Sequence, residues 1–173
     1  KRAAKLISNS SKGIIIVGWG IKYTSGFKPV IELAEYLNVP IVTAAGHGDA
    51  IPFNHKLNAG QMGPRGNPVA TKLTKEADII LAIGTRLGFN STFYSFENIN
   101  KKATIIQVEL EKKMLGKYCP INIGINADAA TTANQLLREF KKQKIKSEVK
   151  IWTEKFKNER SNYLFQRNNI PSK

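Results

Sequence analysis

The sequence predicts an α/β chain built as a three-layer, doubly wound parallel sheet of five or six strands. Short runs rich in β-branched residues recur five times, three of them stop at Gly18, Gly84 or Glu109, and helically spaced apolar residues lie between the runs. An uninterrupted apolar run of that kind suits a strand covered on both faces, and helical crossovers between such strands make them parallel.

Residues 13–17, Gly-Ile-Ile-Ile-Val, form the first strand, and Gly18-Trp19-Gly20 turns the chain. Val30, Ile31, Leu33, Ala34 and Leu37 recur at helical spacing, with Pro29 suited to a first turn. Residues 40–43 supply the second strand. The stretch from 44 to 66 holds five glycines and two prolines, which makes it largely loop; a loop of that length is functional or clamped by its neighbours. Asn67 caps a helix that has Pro68 at its first position and runs through Val69, Ala70, Leu73 and Ala77. Residues 79–83 are the third strand, stopped by Gly84-Thr85-Arg86. A loop from Leu87 to Lys102 leads to the fourth, residues 104–108, which ends at Glu109. Residues 121–125 give the fifth, and residues 128–140 a helix with Ala129, Ala133, Leu136, Leu137 and Phe140 on its apolar face. A sixth strand has to come from one of the loops.

The boundaries that follow are residues 1–11 as the end of a linker helix, 12–140 as the domain, and 141–173 as a lysine-rich linker. In that last part Ile151, Trp152, Phe156, Tyr163 and Leu164 form one narrow apolar stripe among lysines, too little for a core of its own, so it is expected to pack on something outside this chain. A chain of 173 residues fits one domain with a tail, and 42% hydrophobic residues suffice for a core. No apolar run approaches the roughly 20 residues of a membrane span, so no membrane partner is expected. One cysteine, Cys119, excludes an internal disulfide and fits a reducing, cytoplasmic setting. The chain starts at Lys1 with neither an initiator methionine nor a leader, which suggests an excerpt of a longer or processed protein.

The net charge of +14 raises nucleic acid as a partner, but 21 of the 27 basic residues are Lys and only 6 are Arg. Base and phosphate readers lean on bidentate Arg, and no basic strand interleaved with aromatics appears, so nucleic acid is not expected. The 20 Ile and 15 Asn that accompany the lysines point to a composition bias across the source genome.

In an open parallel sheet, ligands bind beyond the carboxyl ends of the strands, which selects Gly18, Trp19, Gly20, residues 43–49, Gly84, Thr85, Arg86 and Glu109. Glycines after the first strand let backbone approach a phosphate, yet a complete GxGxxG would need glycine at Tyr23; a tight turn is the alternative. Arg86 has the reach to hold a diphosphate or to sit in a surface ion pair. Glu109 and Glu111 stand where carboxylates accept from ribose hydroxyls, Glu111 having helix capping as its alternative. His47, Asp49 and His55 match no metal spacing, so they serve loop hydrogen bonding or an active-site wall, and no metal site is expected. Cys119 has no His partner or helix start to make it a nucleophile. No Ser-His-Asp order, P-loop or paired-carboxylate constellation is visible, so the chain lacks a catalytic set of its own.

Val17-Gly18-Trp19-Gly20, the run from Leu33 to Val42, Gly60-Gln61-Met62-Gly63-Pro64-Arg65-Gly66, the run from Ala77 to Arg86 and Ile105-Ile106-Gln107-Val108-Glu109 together resemble the central, Rossmann-like domain of thiamine-diphosphate-dependent enzymes. The resemblance spans about residues 12–137. Within that superfamily the run from His47 to His55, with Gly84-Thr85-Arg86-Leu87-Gly88 and Lys113-Met114-Leu115-Gly116, looks most like the sulfoacetaldehyde acetyltransferases. Acetolactate synthase large subunits are next; they carry an Arg-Phe-Asp-Asp-Arg run where this sequence continues Leu87, Gly88, Phe89, Asn90 after Arg86.

What the resemblance implies is a transferase of three domains, with thiamine diphosphate and Mg2+ held between the first and third. The activating glutamate and the Gly-Asp-Gly…Asn segment belong to those outer domains and have no counterpart here, so this piece alone is expected to be inert. Central domains of this kind take FAD in acetolactate synthases and pyruvate oxidases, and ADP or coenzyme A in some relatives. The matching positions are Gly18, Gly20, Gly84, Thr85, Arg86 and Glu109, although relatives also keep the fold without the ligand. His47, Asp49 and Arg65 are the candidates for an active-site wall. Implied partners are a small-molecule substrate, the other domains of the same chain, and a second or fourth copy in a homodimer or homotetramer, contacts that a stripe around Trp152 and Phe156 would suit. Two other classes compete: a stand-alone nucleotide-binding module and a basic nucleic-acid binder.

Overall fold

The computed structural model describes residues 1–95, 97–145 and 149–168. Its two most apolar strands, β1 (Gly13–Val17) and β4 (Ile79–Ile83), lie side by side at the centre, every residue of both buried. They pair in parallel from Gly13 with Ile79 to Val17 with Ile83. β2 (Ile41–Thr43) flanks β1 and β5 (Thr104–Glu109) flanks β4; β3 (Asn58–Gln61) and β6 (Ile123–Asn126) form the edges. The order is β3-β2-β1-β4-β5-β6 and every pairing is parallel. This is the doubly wound sheet the sequence predicts, with six strands.

The sixth strand comes from the long loop. β3 reads Asn-Ala-Gly-Gln, with no β-branched residue, and its pairing to β2 shifts register between Ile41 and Val42. Side-chain bonds hold it: the buried Asn58 amide donates to the carbonyls of Ile51 and Pro52 while its oxygen accepts from Gly60 N. β6 begins two residues later than the sequence indicates, because Asn122 does the pairing there with its side chain. Its backbone N–H donates to Ile105 O and its side-chain oxygen accepts from Ile105 N.

The helices begin where the caps sit. In α4 (Pro68–Glu76) the Asn67 side chain accepts from Val69 N, and in α6 (Ala129–Lys142) Asp128 accepts from Thr131 N. Such caps contribute about 1 kcal/mol each. α3 (Phe27–Leu37) carries Pro29 in its first turn and ends at Asn38 in the left-handed region, φ 51°. α1 (Arg2–Ser8), α3 and α6 pack together as one layer, and α4 packs with α7 (Lys150–Asn168) in another. Leu33, Leu37 and Phe140 are fully buried in the first layer, a burial that stabilises by about 1.5–3 kcal/mol per side chain. Two single-turn helices, α2 (Gly20–Tyr23) and α5 (Phe89–Thr92), follow β1 and β4.

The last segment departs from the expectation of an exposed stripe. Trp152 and Phe156 are buried in this domain's own core, 7% and 1% exposed. Trp152 Nε1 donates to Gly13 O at 3.2 Å, Thr153 Oγ1 donates to Asn38 O, and Lys72 pairs with Glu159 at 2.6 Å. Trp152 and Phe156 therefore seal the amino-terminal end of the sheet, while Ile151 of the same stripe stays exposed; the sequence shows the stripe's period but not its target. Residues 146–148 and 169–173 of that segment lie outside the described residues. Among the described residues no helix is long and apolar enough to cross a membrane.

Candidate functional site

Strand order reverses between β1 and β4, and beyond the carboxyl ends of the strands there lies a cleft of about 690 Å³. That is the place where an open α/β sheet binds ligands, and the volume suits a small molecule. Of the residues singled out from the sequence, Trp19, Gly20, Ala44, Ala45, His47, Gly84, Thr85, Arg86 and Glu109 line it. Gly18 lies beneath it, Asp49 faces a shallower groove beside α3, and Arg65 is exposed in the turn after β3.

The glycines are explained by contact between two turns. A Cβ on Gly20 would lie 2.6 Å from Gly84 Cα, and one on Gly18 would lie 2.6 Å from Gly84 O. Gly84 itself adopts φ +61°, which disfavours any side chain. Gly18 N donates to Ile83 O at 3.2 Å and Gly20 N to Gly84 O at 2.9 Å, so the turns after β1 and β4 are bonded to each other. Gln107, buried in β5, extends the clamp by donating to Thr85 O and accepting from Gly116 N.

Arg86 is in an ion-pair cluster. Its guanidinium lies 3.0 Å from Glu111 and 4.0 Å from Glu109, and Lys113 reaches Glu111 at 2.8 Å. Lys113, first through its hydrogen bond, and Arg86 through its charge hold the Glu111 carboxyl below its ordinary range. Glu111 makes no side-chain cap on the helical turn it starts. Glu109 accepts from Glu111 N at 3.2 Å.

His47 belongs to a second cluster on the β2 side. Its ring lies 5.4 Å from that of Trp19, Lys22 Nζ sits 4.3 Å from the Trp19 ring centre, and Lys22 pairs with Asp49. Burial first, and then the Lys22 charge, lower the His47 pKa, with Asp49 pulling the other way; the imidazole is neutral near pH 7. Its Nδ1 is buried without a hydrogen-bond partner. Lys22 likewise holds the Asp49 carboxyl below its usual range. His55 serves its loop, Nδ1 accepting from Leu57 N and Nε2 lying 3.4 Å from Glu35. Cys119 is buried, and burial pushes its thiol up, away from nucleophilic character.

Apart from Trp19, which the strand-end rule selects, the aromatic lining of the cleft escapes the sequence reading. Trp19 and Tyr23 stand on one bank; Phe89, Tyr94 and Tyr118 stand on the other, with Tyr94 stacked on Tyr118 at 5.3 Å. Leu87, Phe93 and Tyr94 all adopt positive φ, near +50°, which costs about 1 kcal/mol or more for each residue other than glycine. Thr92 pins the turn: its hydroxyl donates towards the carbonyls of Leu87 and Gly88 and accepts from Tyr94 N. No spacing announces this wall, since the residues come from three separate connections. Asp128, at the start of α6, also lines the cleft; burial raises its pKa but hydrogen bonds from Thr131 outweigh it and keep the carboxyl low.

Among the described residues no three or more His, Cys, Asp or Glu side chains gather into one cluster.

Sequence comparison agrees with this architecture. Residues 1–136 match the family model described as thiamine pyrophosphate enzyme, central domain. The chain is 36% identical to a sulfoacetaldehyde acetyltransferase of Rhodobacter capsulatus over 138 residues, 79% of this chain and 23% of that protein. It is 35% identical to one of Castellaniella defragrans over 145 residues, 83% of this chain and 24% of the relative. A probable acetolactate synthase large subunit of Methanocaldococcus jannaschii is 28% identical over 155 residues, covering 90% of this chain and 26% of that protein. The chain spans about a quarter of the length of these relatives. With its order of strands, its cleft at the reversal point and this family match, the chain belongs to the central domains of thiamine pyrophosphate enzymes.

Proposed function

We propose that this chain is the central domain of a thiamine-diphosphate-dependent acyltransferase that converts sulfoacetaldehyde and phosphate to acetyl phosphate and sulfite. One observation carries the reading: identity to the sulfoacetaldehyde acetyltransferases exceeds that to the acetolactate synthase subunit across most of the chain. The turn after β4 supports it, since Arg86 is followed by a fully buried Leu87 and by Gly88, in place of the Arg-Phe-Asp-Asp-Arg run of acetolactate synthases.

Cofactor, Mg2+ and substrate belong, in this reading, to domains beyond this chain, and the protein works in the cytoplasm as a homodimer or homotetramer. The contribution of these residues is positional. The Gly18–Gly20 and Gly84–Thr85 turns lock β1 to β4, and Gln107 fixes β5 to the same clamp. His47 lines the cleft while its buried Nδ1 has no hydrogen-bond partner, so its ring is a candidate wall residue. Asp49 orients Lys22 beside it, and Arg65 stands apart on the next turn.

The test is an assay of the intact parent protein with sulfoacetaldehyde, phosphate, thiamine diphosphate and magnesium, and with pyruvate as the control. Sulfite released together with acetyl phosphate is the expected result. Acetolactate from pyruvate without sulfite would overturn it in favour of the synthase.

A further inference from the structure

FAD, ADP and coenzyme A, the ligands that the resemblance implies for a central domain of this kind, share one chemical feature, a diphosphate. A diphosphate is held by free backbone N–H groups, by glycine faces that let it come close, and by cations that are not already neutralised. None of the three is open in the two glycine turns at the carboxyl end of this sheet.

The backbone donors are engaged. Gly18 N donates to Ile83 O, Gly20 N to Gly84 O, Ile21 N to Gly18 O, Lys22 N to Trp19 O and Gly84 N to Val108 O. The helix that follows β1 is a single turn of four residues, too short to gather a dipole for an anion. The glycine faces are filled by protein. The place of a Cβ on Gly18 is 2.6 Å from both Gly84 O and Thr85 Cβ, and that on Gly20 is 2.6 Å from Gly84 Cα, so a phosphate, larger than a methyl group, has no room there.

The cation is neutralised as well. Arg86 pairs with Glu111 at 3.0 Å and lies 4.0 Å from Glu109, while Glu109 and Asp128 bring two carboxylates to the lining, where a diphosphate would meet like charge. Of the lysines close by, Lys22 pairs with Asp49, Lys113 with Glu111, and Lys117 packs over the Tyr118 ring. What stays open is apolar: Trp19, Tyr23, Phe89, Phe93, Tyr94 and Leu110 are exposed along the cleft or its α5 turn, and none of them replaces a phosphate-binding cation.

We propose that this chain takes no diphosphate nucleotide in its cleft, and that direct bonding between the Gly18–Gly20 and Gly84–Thr85 turns stands in for the ligand in joining β1 to β4 where the strand order reverses. The positions that the resemblance assigns to a nucleotide are structural residues in this chain. The inference rests on the family assignment and not on the identity of the substrate.

The experiment uses the dialysed intact parent protein. FAD, ADP and coenzyme A are each titrated to millimolar concentration while the heat of binding and the melting midpoint are read, amide hydrogen exchange is followed at residues 18–22 and 84–86, and sulfite release is measured on the same preparation. The Gly20 and Gly84 amides are expected to exchange about a hundred-fold more slowly than unstructured amides before any nucleotide is added, with no change after it. No nucleotide is expected to raise the melting midpoint, whereas a ligand at a hundred times its Kd shifts it by several degrees. A nucleotide that slows exchange at residues 18–22 or 84–86 would overturn the inference, and so would fast exchange of the Gly20 and Gly84 amides in the free protein. Binding that leaves those residues unchanged lies on another domain and agrees with closed turns. Sulfite release with a nucleotide seated at the two turns breaks this inference alone, and closed turns without sulfite break only the assigned reaction.

Discussion

The two ends of the sheet are finished in opposite ways. At the amino-terminal end polar groups are tied to distant parts of the chain: Asp78 accepts from Ser11 N, Ser11 Oγ and Lys12 N, while α7 brings Trp152 to Gly13 and Thr153 to Asn38. At the carboxyl end Leu87, Phe93 and Tyr94 are among the residues at positive φ, Nδ1 of His47 is unpaired, and six large apolar side chains face outward. Stability is concentrated at one end, and the other keeps its surface and strain for binding.

This contrast can be broken by mutation. The largest effect is expected from Phe156→Ala at the sealed end, a loss of about 3–5 kcal/mol in urea unfolding for a fully buried aromatic. A loss below about 1 kcal/mol would mean that α7 is only loosely attached. Gly20→Ala should cost about 3 kcal/mol, because its Cβ would meet Gly84 backbone that cannot withdraw; an unchanged midpoint would show that the two turns are not clamped. Arg86→Ala should cost at most about 1 kcal/mol, since its pairs are half exposed, and the cost should shrink as salt is added.

Tyr94→Asn sharpens the comparison from the other side. It removes an aromatic side chain, as Phe156→Ala does, yet the net change should be within about 0.5 kcal/mol, because asparagine tolerates the left-handed region and offsets the lost stacking on Tyr118. A cost comparable to that of Phe156→Ala would make the open end part of the core. The smallest effect concerns pH. His47 has its folded pKa below the ordinary value, so the unfolded chain takes up the proton first as pH falls. Its contribution is complete above the ordinary histidine range and is lost as pH drops through it. His47→Gln should therefore flatten the decline in stability between about pH 7 and pH 5; an unchanged slope would remove His47 as its source.

Much of the fold is legible because burial on both faces writes itself into composition. β1 and β4 are runs of Ile, Val, Leu and Ala that only a central strand needs, and Asn67-Pro68 and Asp128 mark helix starts by side-chain chemistry alone. β3 was not legible, because an edge strand of Asn, Ala, Gly and Gln owes its form to pairing with β2 and to the Asn58 bonds. α7 was legible as a helix with an apolar stripe, but the stripe carries no record of what it covers.

The site divides the same way. Gly20, Gly84, Thr85, Arg86 and Glu109 were found because strand ends are local signals and the switch-point rule says where they converge. Trp19 was found by the same rule, whereas Tyr94, Tyr118 and Asp128 were missed, since each reaches the cleft from a different connection. The sequence by itself determined the strand cores, the helix caps, the glycines of the two turns and the family, all properties of residues near one another in the chain. Only the tertiary structure decided that those glycines face each other, that α7 closes one end of the sheet and that an aromatic wall opens the other. These are contacts between segments up to 139 residues apart, as Gly13 and Trp152 are, and they depend on which surfaces are left once the sheet has closed.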